Sequence, residues 1–413
     1  MFSSSTKLRI PASVSTARTK LNSTGLLVLR ISRTVWRLRA ASSEAFAQQC
    51  HSAILDPALR PSNVAGQRRG GKKARMSTAE AVKLREAPPS PVDRLQALVA
   101  ADMAEVDTLI HARMGSAVPL IPDLAAHLVD SGGKRLRPLL TLAAARLGGY
   151  AGRHHVNLAA AVEFIHTATL LHDDVVDASA LRRGKIAANI VWGNKPSVLV
   201  GDYLFSRAFV LMVEAGSIEV LGVLARASAV IAEGEVMQLK SANNLAVTEA
   251  EYLKVVSAKT AALFASAAES GALLSGGRAP FVRALREYGQ NLGIAFQLID
   301  DALDYSGRQA QMGKSVGDDF REAKATFPLI VAYARADEEA RRFWRRTIET
   351  GPQHEGDLRR AIAYIEDCGA IAETRARAHL YAEAAADALS DYAETEIGAA
   401  LIDVAAFCVG RGY

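Results

Sequence analysis

The segment LLHDDVVDASALRRGK (residues 170–185) ends an apolar helical pattern with three aspartates, and two adjacent arginines follow them. Asp173 and Asp177 are four residues apart, so a helix carries both carboxylates on one face, one turn apart. Together with Asp174 they repel one another, and the preceding residues, FIHTATLL, are too apolar for a fully solvated helix face. A single DDxxD segment is usually an acidic helix end in water, but these charges need a neutralising partner.

A second segment, FQLIDDALD (residues 296–304), repeats this pattern at the end of another apolar helix. If the two helices face each other, six carboxylates border one cavity. Mg²⁺ prefers oxygen ligands and is usually held by one or two carboxylates together with substrate phosphates. The two segments therefore predict a clamp of several Mg²⁺ ions on a diphosphate. The carboxylates of the second segment belong to Asp300, Asp301 and Asp304.

Basic residues in five segments would complete such a site, because arginine forks match phosphate oxygens. Each one taken singly is more simply a surface charge. Together with two aspartate clusters they indicate two anionic sites, one bridged by metal and one bound directly by cations. They are Lys134, Arg135 and Arg137 in GGKRLRP, Arg182 and Arg183, Lys259 in SAKTA, Lys314 in MGKSVGDD, and Lys324 in EAKATFP.

The pattern from about residue 90 onward is one helix after another, without persistent strand alternation or an internal repeat. A composition of 50% hydrophobic and 6% aromatic residues, with abundant alanine, favours a mostly helical globular protein. Helices that are apolar on most faces are expected at the centre of a bundle. No run of 18 or more uncharged apolar residues occurs, so we expect no transmembrane helix. Three scattered cysteines favour a reducing compartment.

Residues 1–75 and 76–413 differ in composition and are expected to be separate parts of the chain. The first part contains 14 Lys/Arg and two acids, is rich in serine, and includes LLVLRISRTVWRLRA, which fits a basic amphipathic helix. These features are typical of a mitochondrial transit peptide followed by a linker, and they indicate the matrix. The alternatives are a disordered basic tail, or an untranslated stretch upstream of a cytoplasmic protein that starts at Met76.

The net charge of +5 comes from that N-terminal part. Residues 76–413 contain 35 Lys/Arg and 42 Asp/Glu and are therefore mildly acidic. Because the basic residues in excess are confined to the N-terminus, the charge does not indicate a nucleic-acid partner.

Over roughly residues 90–413 the chain resembles the trans-isoprenyl diphosphate synthases, also called polyprenyl synthetases. The likeness rests on six segments in the family's order: GGKRLRP, LLHDDVVDASALRRGK, AEGEVMQL, SAKTA, FQLIDDALDY and GKSVGDDFREAKATFPL. It implies an all-α isoprenoid-synthase helical bundle around a deep central cavity, in a homodimer. Two departures, ASA at residues 178–180 and Ala325 in place of a frequent proline, remove no charged ligand.

The resemblance implies roles for individual residues, with three Mg²⁺ ions in each active site. The diphosphate of isopentenyl diphosphate would be held by Lys134, Arg137, His166 and Arg183. The metal ligands would be Asp173, Asp177 and Asp300, supported directly or through water by Asp174, Asp301 and Asp304. The allylic diphosphate would meet Arg182, Lys259, Lys314, Thr260, Gln297 and Lys324. Glu235 and Gln238 would support the catalytic residues without touching the substrate. The catalytic set would be Asp173, Asp174, Asp177, Arg182, Lys259, Asp300 and Lys314.

The implied reaction is Mg²⁺-dependent head-to-tail condensation of isopentenyl diphosphate with an allylic primer, farnesyl or geranylgeranyl diphosphate. Product length depends on the helix before Asp173, where short-chain relatives carry aromatic residues. Here the positions are Ala168 and Thr169, about 6–8 Å along the axis from Asp173, so the channel is expected to admit a longer tail. We expect a C40–C50 product, decaprenyl diphosphate first, which would supply the ubiquinone side chain. Plain helix packing explains the small residues equally well.

Two other functions compete with this one. A class I terpene synthase also uses aspartate-rich metal sites, but the second DDxxD segment and GGKRLRP, a site for a second diphosphate, oppose it. An inactive subunit that sets product length in a heteromer commonly loses aspartates, whereas this chain keeps all six. A heteromer with a second subunit stays open, as does peripheral contact with a membrane, since the product is nearly insoluble in water.

Overall fold

The computed structural model of the chain describes residues 89–306 and 316–410. These residues belong to one structural unit, and nearly all of its elements are α-helices, which confirms the predicted all-α fold. The expected boundary between residues 75 and 76 and the expected disordered extension before it lie outside the described residues.

From residue 89 onward, the first part of the unit forms seven helices and one short hairpin. The helices are α1 (Pro91–Leu98), α2 (Ala100–Met114), α3 (Leu120–Val129), α4 (Leu136–Leu147), α5 (His154–Val176), α6 (Ala188–Trp192) and α7 (Asn194–Glu214). Strands β1 (Leu181–Arg182) and β2 (Lys185–Ile186) pair antiparallel between α5 and α6. With two residues in each strand, the hairpin is too short for sequence periodicity to indicate it.

The described residues of the second part form ten helices and two π-helical turns. The helices are α8 (Ile218–Ser241), α9 (Glu249–Val256), α10 (Ala262–Leu274), α11 (Ala279–Asp304), α12 (Asp318–Arg321), α13 (Phe327–Arg335), α14 (Glu338–Trp344), α15 (Asp357–Asp367), α16 (Ala370–Ala388) and α17 (Glu396–Gly410). The π-helical turns are Ser257–Ala261, between α9 and α10, and Arg345–Thr350, after α14. A 3₁₀ turn, Ser390–Tyr392, precedes α17.

Helix α5 occupies the centre of the bundle, as its apolar sequence predicts. It is buried on most faces and packs mainly against α7, with α4, α2 and α10 also in contact. Helix α11 packs mainly against α10 and α16. The C-terminal ends of α5 and α11, which carry the two aspartate segments, open onto shared cavities.

Glycines bring the central helices unusually close together. A Cβ atom on Gly271 would lie 2.3 Å from the backbone oxygen of Thr141, where α10 meets α4. On α11, a Cβ atom on Gly289 would lie 2.5 Å from the backbone oxygen of Phe264, and one on Gly293 would lie 2.6 Å from Cα of Ala261. Real Cβ contacts are not this short, so α11 can approach the SAKTA turn and α10 only because these positions lack a side chain.

Helix α7 is the one described helix that is long and apolar enough to cross a membrane by length and composition. The most apolar 18 residues of α7 have a mean hydropathy of 1.4, and 39% of them are buried in this structure. The core helix of a globular protein passes the same test, and α7 packs along α5 while carrying Asp202 and Arg207. Composition alone is therefore weak evidence for a membrane span.

Candidate active site

The first aspartate segment closes α5, with Asp173 and Asp174 in the last turn and Asp177 at the C-cap. Asp174 is fully buried, and its Oδ1 atom accepts hydrogen bonds from Nε and Nη2 of Arg182 at 2.8 and 2.5 Å. The side-chain amide of Asn189 donates to the backbone oxygen of Asp174 at 2.9 Å. Asp174 therefore attaches the β1–β2 hairpin to α5, and Arg182 is turned toward this carboxylate.

Asp173 faces a lysine from the SAKTA turn. Nζ of Lys259 lies 3.8 Å from Oδ2 of Asp173 and 2.7 Å from Oε2 of Glu235, and it donates to Oε1 of Gln238 at 2.6 Å. Burial raises the pKa of Asp173 to about 7; Lys259 opposes this shift, and Glu235 and Asp177 add to it. One lysine therefore does not neutralise the carboxylates gathered here.

Lys324 connects the first aspartate segment to the chain after the second one. Its Nζ atom donates to Oδ2 of Asp177 at 3.0 Å and also forms an ion pair with Glu322. Burial alone would lower the pKa of Lys324, but Asp177 and Glu322 outweigh burial and the net shift is upward. Lys324 thus carries its charge in contact with the first segment.

A chain of hydrogen bonds holds Asp301 of the second segment. Its carboxylate accepts from the hydroxyl of Tyr252 at 2.6 Å and from Nε2 of Gln297 at 2.7 Å. Thr260 in turn donates to Oε1 of Gln297 at 2.9 Å. Burial raises the pKa of Asp301 to about 7, against the lowering effect of both hydrogen bonds. Thr260 and Gln297, which the resemblance assigns to the allylic site, therefore also orient an aspartate.

Asp304 binds the start of α12. The backbone N–H groups of Asp318 and Asp319 donate to its two carboxylate oxygens at 3.3 and 3.0 Å. Burial, followed by repulsion from Asp304 and Asp301, raises the pKa of Asp319 well above its ordinary value. Asp318 and Asp319 were not among the predicted site residues, although the GDD of MGKSVGDD was a visible signal for them.

Three adjoining cavities meet at these groups. The first, of 630 Å³, lies between the hairpin and the end of α11, and the second, of 190 Å³, lies beside the SAKTA turn. The third, of 420 Å³, is bordered by the GGKRLRP segment, α5 and α11. They share walls: Gln297 borders all three, and the second and third also share Asp173 and Lys259. Five of the six predicted aspartates line them: Asp173, Asp177, Asp300, Asp301 and Asp304.

The carboxylates are arranged along the cavity walls rather than as a finished metal cage. Within residues 89–306 and 316–410, no three or more His, Cys, Asp or Glu side chains form a ready-made metal-binding group. Mg²⁺ usually takes one or two carboxylates and completes its shell with water and substrate phosphates. The donor set therefore fits Mg²⁺ if phosphate oxygens are supplied in the cavity.

The third cavity carries the cationic residues. Arg137 is the donor to Nε2 of His166 at 3.1 Å, so the proton of the neutral imidazole resides on Nδ1. Burial, and then the charges of Arg137, Arg183 and Arg182, hold the pKa of His166 well below its ordinary value. Nζ of Lys134 lies 5.1 Å from the centroid of the Phe407 ring. The predicted residues for the second diphosphate thus border one cavity, with His166 uncharged.

The glycines of GGKRLRP make room for Arg183. Its guanidinium donates to the backbone oxygen of Gly132, and a Cβ atom on Gly133 would lie 3.0 Å from Nη1 of Arg183. Glu163, on α5 three residues before His166, borders the same cavity. Burial raises the pKa of Glu163, and nearby arginines oppose that shift. Glu163 was missed from the sequence, where its signal was a lone carboxylate in the apolar run AAAVEFIH.

The two chain-length positions lie in different surroundings. Thr169 borders the third cavity, and its hydroxyl donates to the backbone oxygen of His166 at 2.8 Å. Ala168, also on α5, is fully buried in the hydrophobic core. Lys314, predicted to contact the allylic diphosphate, lies outside the described residues.

Comparison with known proteins follows the same segments. Residues 118–365 match the sequence profile of the family described as "Polyprenyl synthetase". Octaprenyl diphosphate synthase of Escherichia coli (strain K12) is 45% identical over 320 residues, which cover 78% of this chain and 99% of that protein.

Two solved structures are similar in fold and sequence. A polyprenyl synthase from Caulobacter crescentus CB15, complexed with calcium and isoprenyl diphosphate, has a TM-score of 0.77 and 54% identity, covering 79% of this chain and 99% of its own. A decaprenyl diphosphate synthase from Rhodobacter capsulatus has a TM-score of 0.75 and 55% identity, covering 78% and 99%.

Proposed function

The chain belongs to the polyprenyl synthetase family and is a prenyltransferase, and we propose that it builds a long all-trans polyprenyl diphosphate. In each cycle isopentenyl diphosphate is added head to tail (1′-4) to an allylic primer, farnesyl or geranylgeranyl diphosphate. The observation that carries this proposal is the shared wall of the cavities. Asp173 and Asp300, from the two aspartate segments, border the same cavity as Lys134, Arg137 and His166. Two diphosphates can therefore be held side by side.

The chain's own residues divide the work between the two substrates. Lys259 and Lys324 lie among the aspartates, where they place positive charge next to the departing diphosphate of the primer. Lys134, Arg137, His166 and Arg183 hold isopentenyl diphosphate in the adjoining cavity. The C–O bond of the primer breaks, and the double bond of isopentenyl diphosphate attacks the allylic cation. The released diphosphate takes the proton lost when the new trans double bond forms.

Mg²⁺ is the proposed cofactor, with three ions per active site. When bound, it would neutralise diphosphate oxygens and stabilise the leaving group. Asp173, Asp177 and Asp300 would hold it, with Asp301 and Asp304 behind them. Calcium together with an isoprenyl diphosphate in the Caulobacter crescentus relative supports a divalent cation as partner of the diphosphate. Asp174 is proposed to act in this site through Arg182, since that is the side chain it contacts.

We propose a C40–C50 product, decaprenyl diphosphate first, as the precursor of the ubiquinone side chain. Thr169 supports this length, because a small side chain borders the cavity where an aromatic one would close it. The two long-chain relatives, an octaprenyl and a decaprenyl synthase, bracket this range. The basic composition of residues 1–75 supports targeting to the mitochondrial matrix. If translation starts at Met76, the enzyme is cytoplasmic.

We propose that the enzyme is a homodimer joined through α7 and α8. On α7, Val198, Leu199, Phe209, Val210 and Val213 fall within one face at 100° per residue, and all are exposed. Ile218, Val236 and Leu239 share one face of α8 and are also exposed. Apolar patches of this kind on two neighbouring helices usually mark a protein interface.

Substitution of one metal-facing carboxylate tests the function. Asp300→Asn keeps the shape of the side chain but removes its charge, so we expect kcat to fall about tenfold to 100-fold. The matched control is Asp367→Asn on α15, which should leave kcat within twofold. The measurement is incorporation of radiolabelled isopentenyl diphosphate with farnesyl diphosphate, with and without Mg²⁺. Equal activity of Asp300→Asn and the unaltered enzyme would contradict the proposed role of this segment.

A further inference from the structure

Arg137 is a partly buried cation of the third cavity, and the groups in direct contact with its guanidinium are neutral. Its Nη1 atom donates to the uncharged His166, and its guanidinium carbon lies 4.4 Å from the centroid of the Phe264 ring. In the described part of the chain Arg137 forms no ion pair with a carboxylate within 4.0 Å. A buried arginine ordinarily needs such a partner. The group in contact with the guanidinium face is thus a ring, and the carboxylates of Glu163 and Asp300, which border the same cavity, favour its charged form from beyond ion-pair distance.

The guanidinium of Arg137 also has an N–H group that no acceptor of the described residues uses. Its Nε atom is buried and has no hydrogen-bond partner among the described residues. Phe264 is fully buried in α10 and borders the cavity together with Arg137 and His166. Because a ring contacts only the face of the planar guanidinium, those N–H groups at its edge that face the cavity stay available for an anion. A carboxylate in the same place would use those N–H groups itself.

We propose that Phe264 is a positioning residue: its ring holds Arg137 flat and charged so that the guanidinium edge binds the diphosphate of isopentenyl diphosphate. This rests on the proposed function for the identity of the second substrate. Phe264 comes three residues after the SAKTA turn, and α11 packs directly against its backbone, since a Cβ atom on Gly289 would lie 2.5 Å from the backbone oxygen of Phe264. The backbone that carries the ring is therefore held in place by a packed helix.

The same segment shows a second instance of this arrangement. Lys134, three residues before Arg137, lies 5.1 Å from the Phe407 ring of α17. Both cations thus contact aromatic ring faces, which do not occupy the N–H groups that an anion would bind. Cation–π contacts of this kind are stronger when they are desolvated than at exposed sites. The buried Arg137–Phe264 pair is therefore the one whose loss should be large.

The test compares Phe264→Leu, which removes the ring, with Phe264→Tyr, which keeps it. Phe264→Leu should raise KM for isopentenyl diphosphate about tenfold to thirtyfold, the change that about 2 kcal/mol produces. Its KM for farnesyl diphosphate should stay within twofold. Phe264→Tyr should have a KM for isopentenyl diphosphate within about threefold of that of the unaltered enzyme. Phe343→Leu, a buried ring in α14, controls for the general effect of losing an aromatic side chain.

Binding of inorganic diphosphate to the full chain without Mg²⁺, by calorimetry, separates this inference from the function. Weaker binding by Phe264→Leu but not by Phe264→Tyr upholds the role of the ring even if no substrate is extended. If Phe264→Leu does not fold, trifluorophenylalanine at position 264 keeps the ring volume, withdraws charge from its face and should raise the same KM. Equal increases in both KM values, equal behaviour of the Leu and Tyr variants, or no effect of fluorination would overturn the proposal.

Discussion

At the scale of single residues, Thr169 is the chain-length position that borders the cavity, whereas Ala168 is enclosed in the core. Thr169→Phe should therefore project a ring into the cavity and shorten the product by several isoprene units. The measurement is the length distribution of dephosphorylated products by reversed-phase separation. Ala168→Phe should also shorten the product, but it overpacks a filled core, at a cost of about 1–3 kcal/mol in stability.

Thr169→Ser is the matched control, since it keeps the hydroxyl that donates to His166 and adds no volume. It should give the same products as the unaltered enzyme. An unchanged product ladder from both phenylalanine variants would mean that the growing tail does not pass this part of α5.

A second residue-scale prediction concerns pH and stability away from the cavity. Asp357 accepts two hydrogen bonds from Arg346 at 2.7 and 2.8 Å and one from the backbone N–H of His354 at 2.6 Å. The bonds from Arg346, followed by the one from His354, lower the pKa of Asp357 to about 2 from the ordinary 3.8. A lowered folded-state pKa stabilises the fold above the unfolded-state pKa, and this stabilisation is lost as pH falls from about 4 to about 2.

Asp357→Asn should therefore lower the free energy of unfolding by about 1–2 kcal/mol at pH 7. The difference from the unaltered protein should be constant between pH 5 and 7 and narrow below pH 4. Urea unfolding at several pH values measures it. A difference that stays the same from pH 6 to pH 3 would show that the carboxylate charge is not responsible.

The structure brings together most of the residues that the sequence predicted for the site, but the sequence did not predict all of their contacts. Asp177 and Lys324 are 147 positions apart and lie 3.0 Å from each other, and both were expected at the site. The pairing of Asp174 with Arg182 was not expected, because it depends on a hairpin with two residues per strand. The roles assigned to these two residues at metal and diphosphate stay predictions. Asp319 and Glu163 were not predicted, because neither belongs to a DDxxD segment.

At the scale of elements, the position of Lys259 depends on how α8 meets the SAKTA turn. A Cβ atom on Gly234 would lie 2.7 Å from the backbone nitrogen of Lys259 and 3.0 Å from the carbonyl carbon of Ala258. Backbone atoms cannot move aside as a flexible side chain can. Gly234→Ala should therefore displace Lys259 and lower kcat about tenfold to 100-fold, as small misplacements near a reaction centre do.

Gly222→Ala on the same helix is the control, because there the nearest atom is the mobile Nη1 of Arg226 at 3.1 Å. Alanine has the higher helix propensity, so this variant should be as stable as the original or up to about 1 kcal/mol more stable. Full activity of Gly234→Ala would show that the turn adjusts without consequence.

The apolar patterns predicted the helices well, whereas the connections depended on tertiary contacts. Capping boxes at Ser90 and Thr248, each with an acid three residues later, are local signals and occur in the structure. The π-helical turn at SAKTA has no local signal. It forms where Gly234 of α8 and Gly293 of α11 approach it closely, and the sequence shows neither contact.

At the scale of the whole molecule, the proposed dimer makes a clear prediction. Leu199 on α7 and Val236 on α8 are each 67% exposed and belong to the two apolar patches of the proposed interface. Leu199→Glu combined with Val236→Glu should place charges in the interface and convert the dimer to monomers. Sedimentation velocity gives the mass. The control is Leu380→Glu on α16, a residue that is 59% exposed on a different helix.

A double variant with the same mass as the unaltered enzyme would exclude this surface as the interface. A monomeric unaltered enzyme would exclude the homodimer itself.

The central claim is that one chain holds two diphosphates side by side and extends a prenyl chain to C40–C50. The most direct test incubates the purified full chain with radiolabelled isopentenyl diphosphate, farnesyl diphosphate and Mg²⁺, then separates the dephosphorylated products by length. The account predicts a Mg²⁺-dependent ladder that ends between C40 and C50. A cyclised product without incorporated label, or no extension by the folded protein alone, would contradict it.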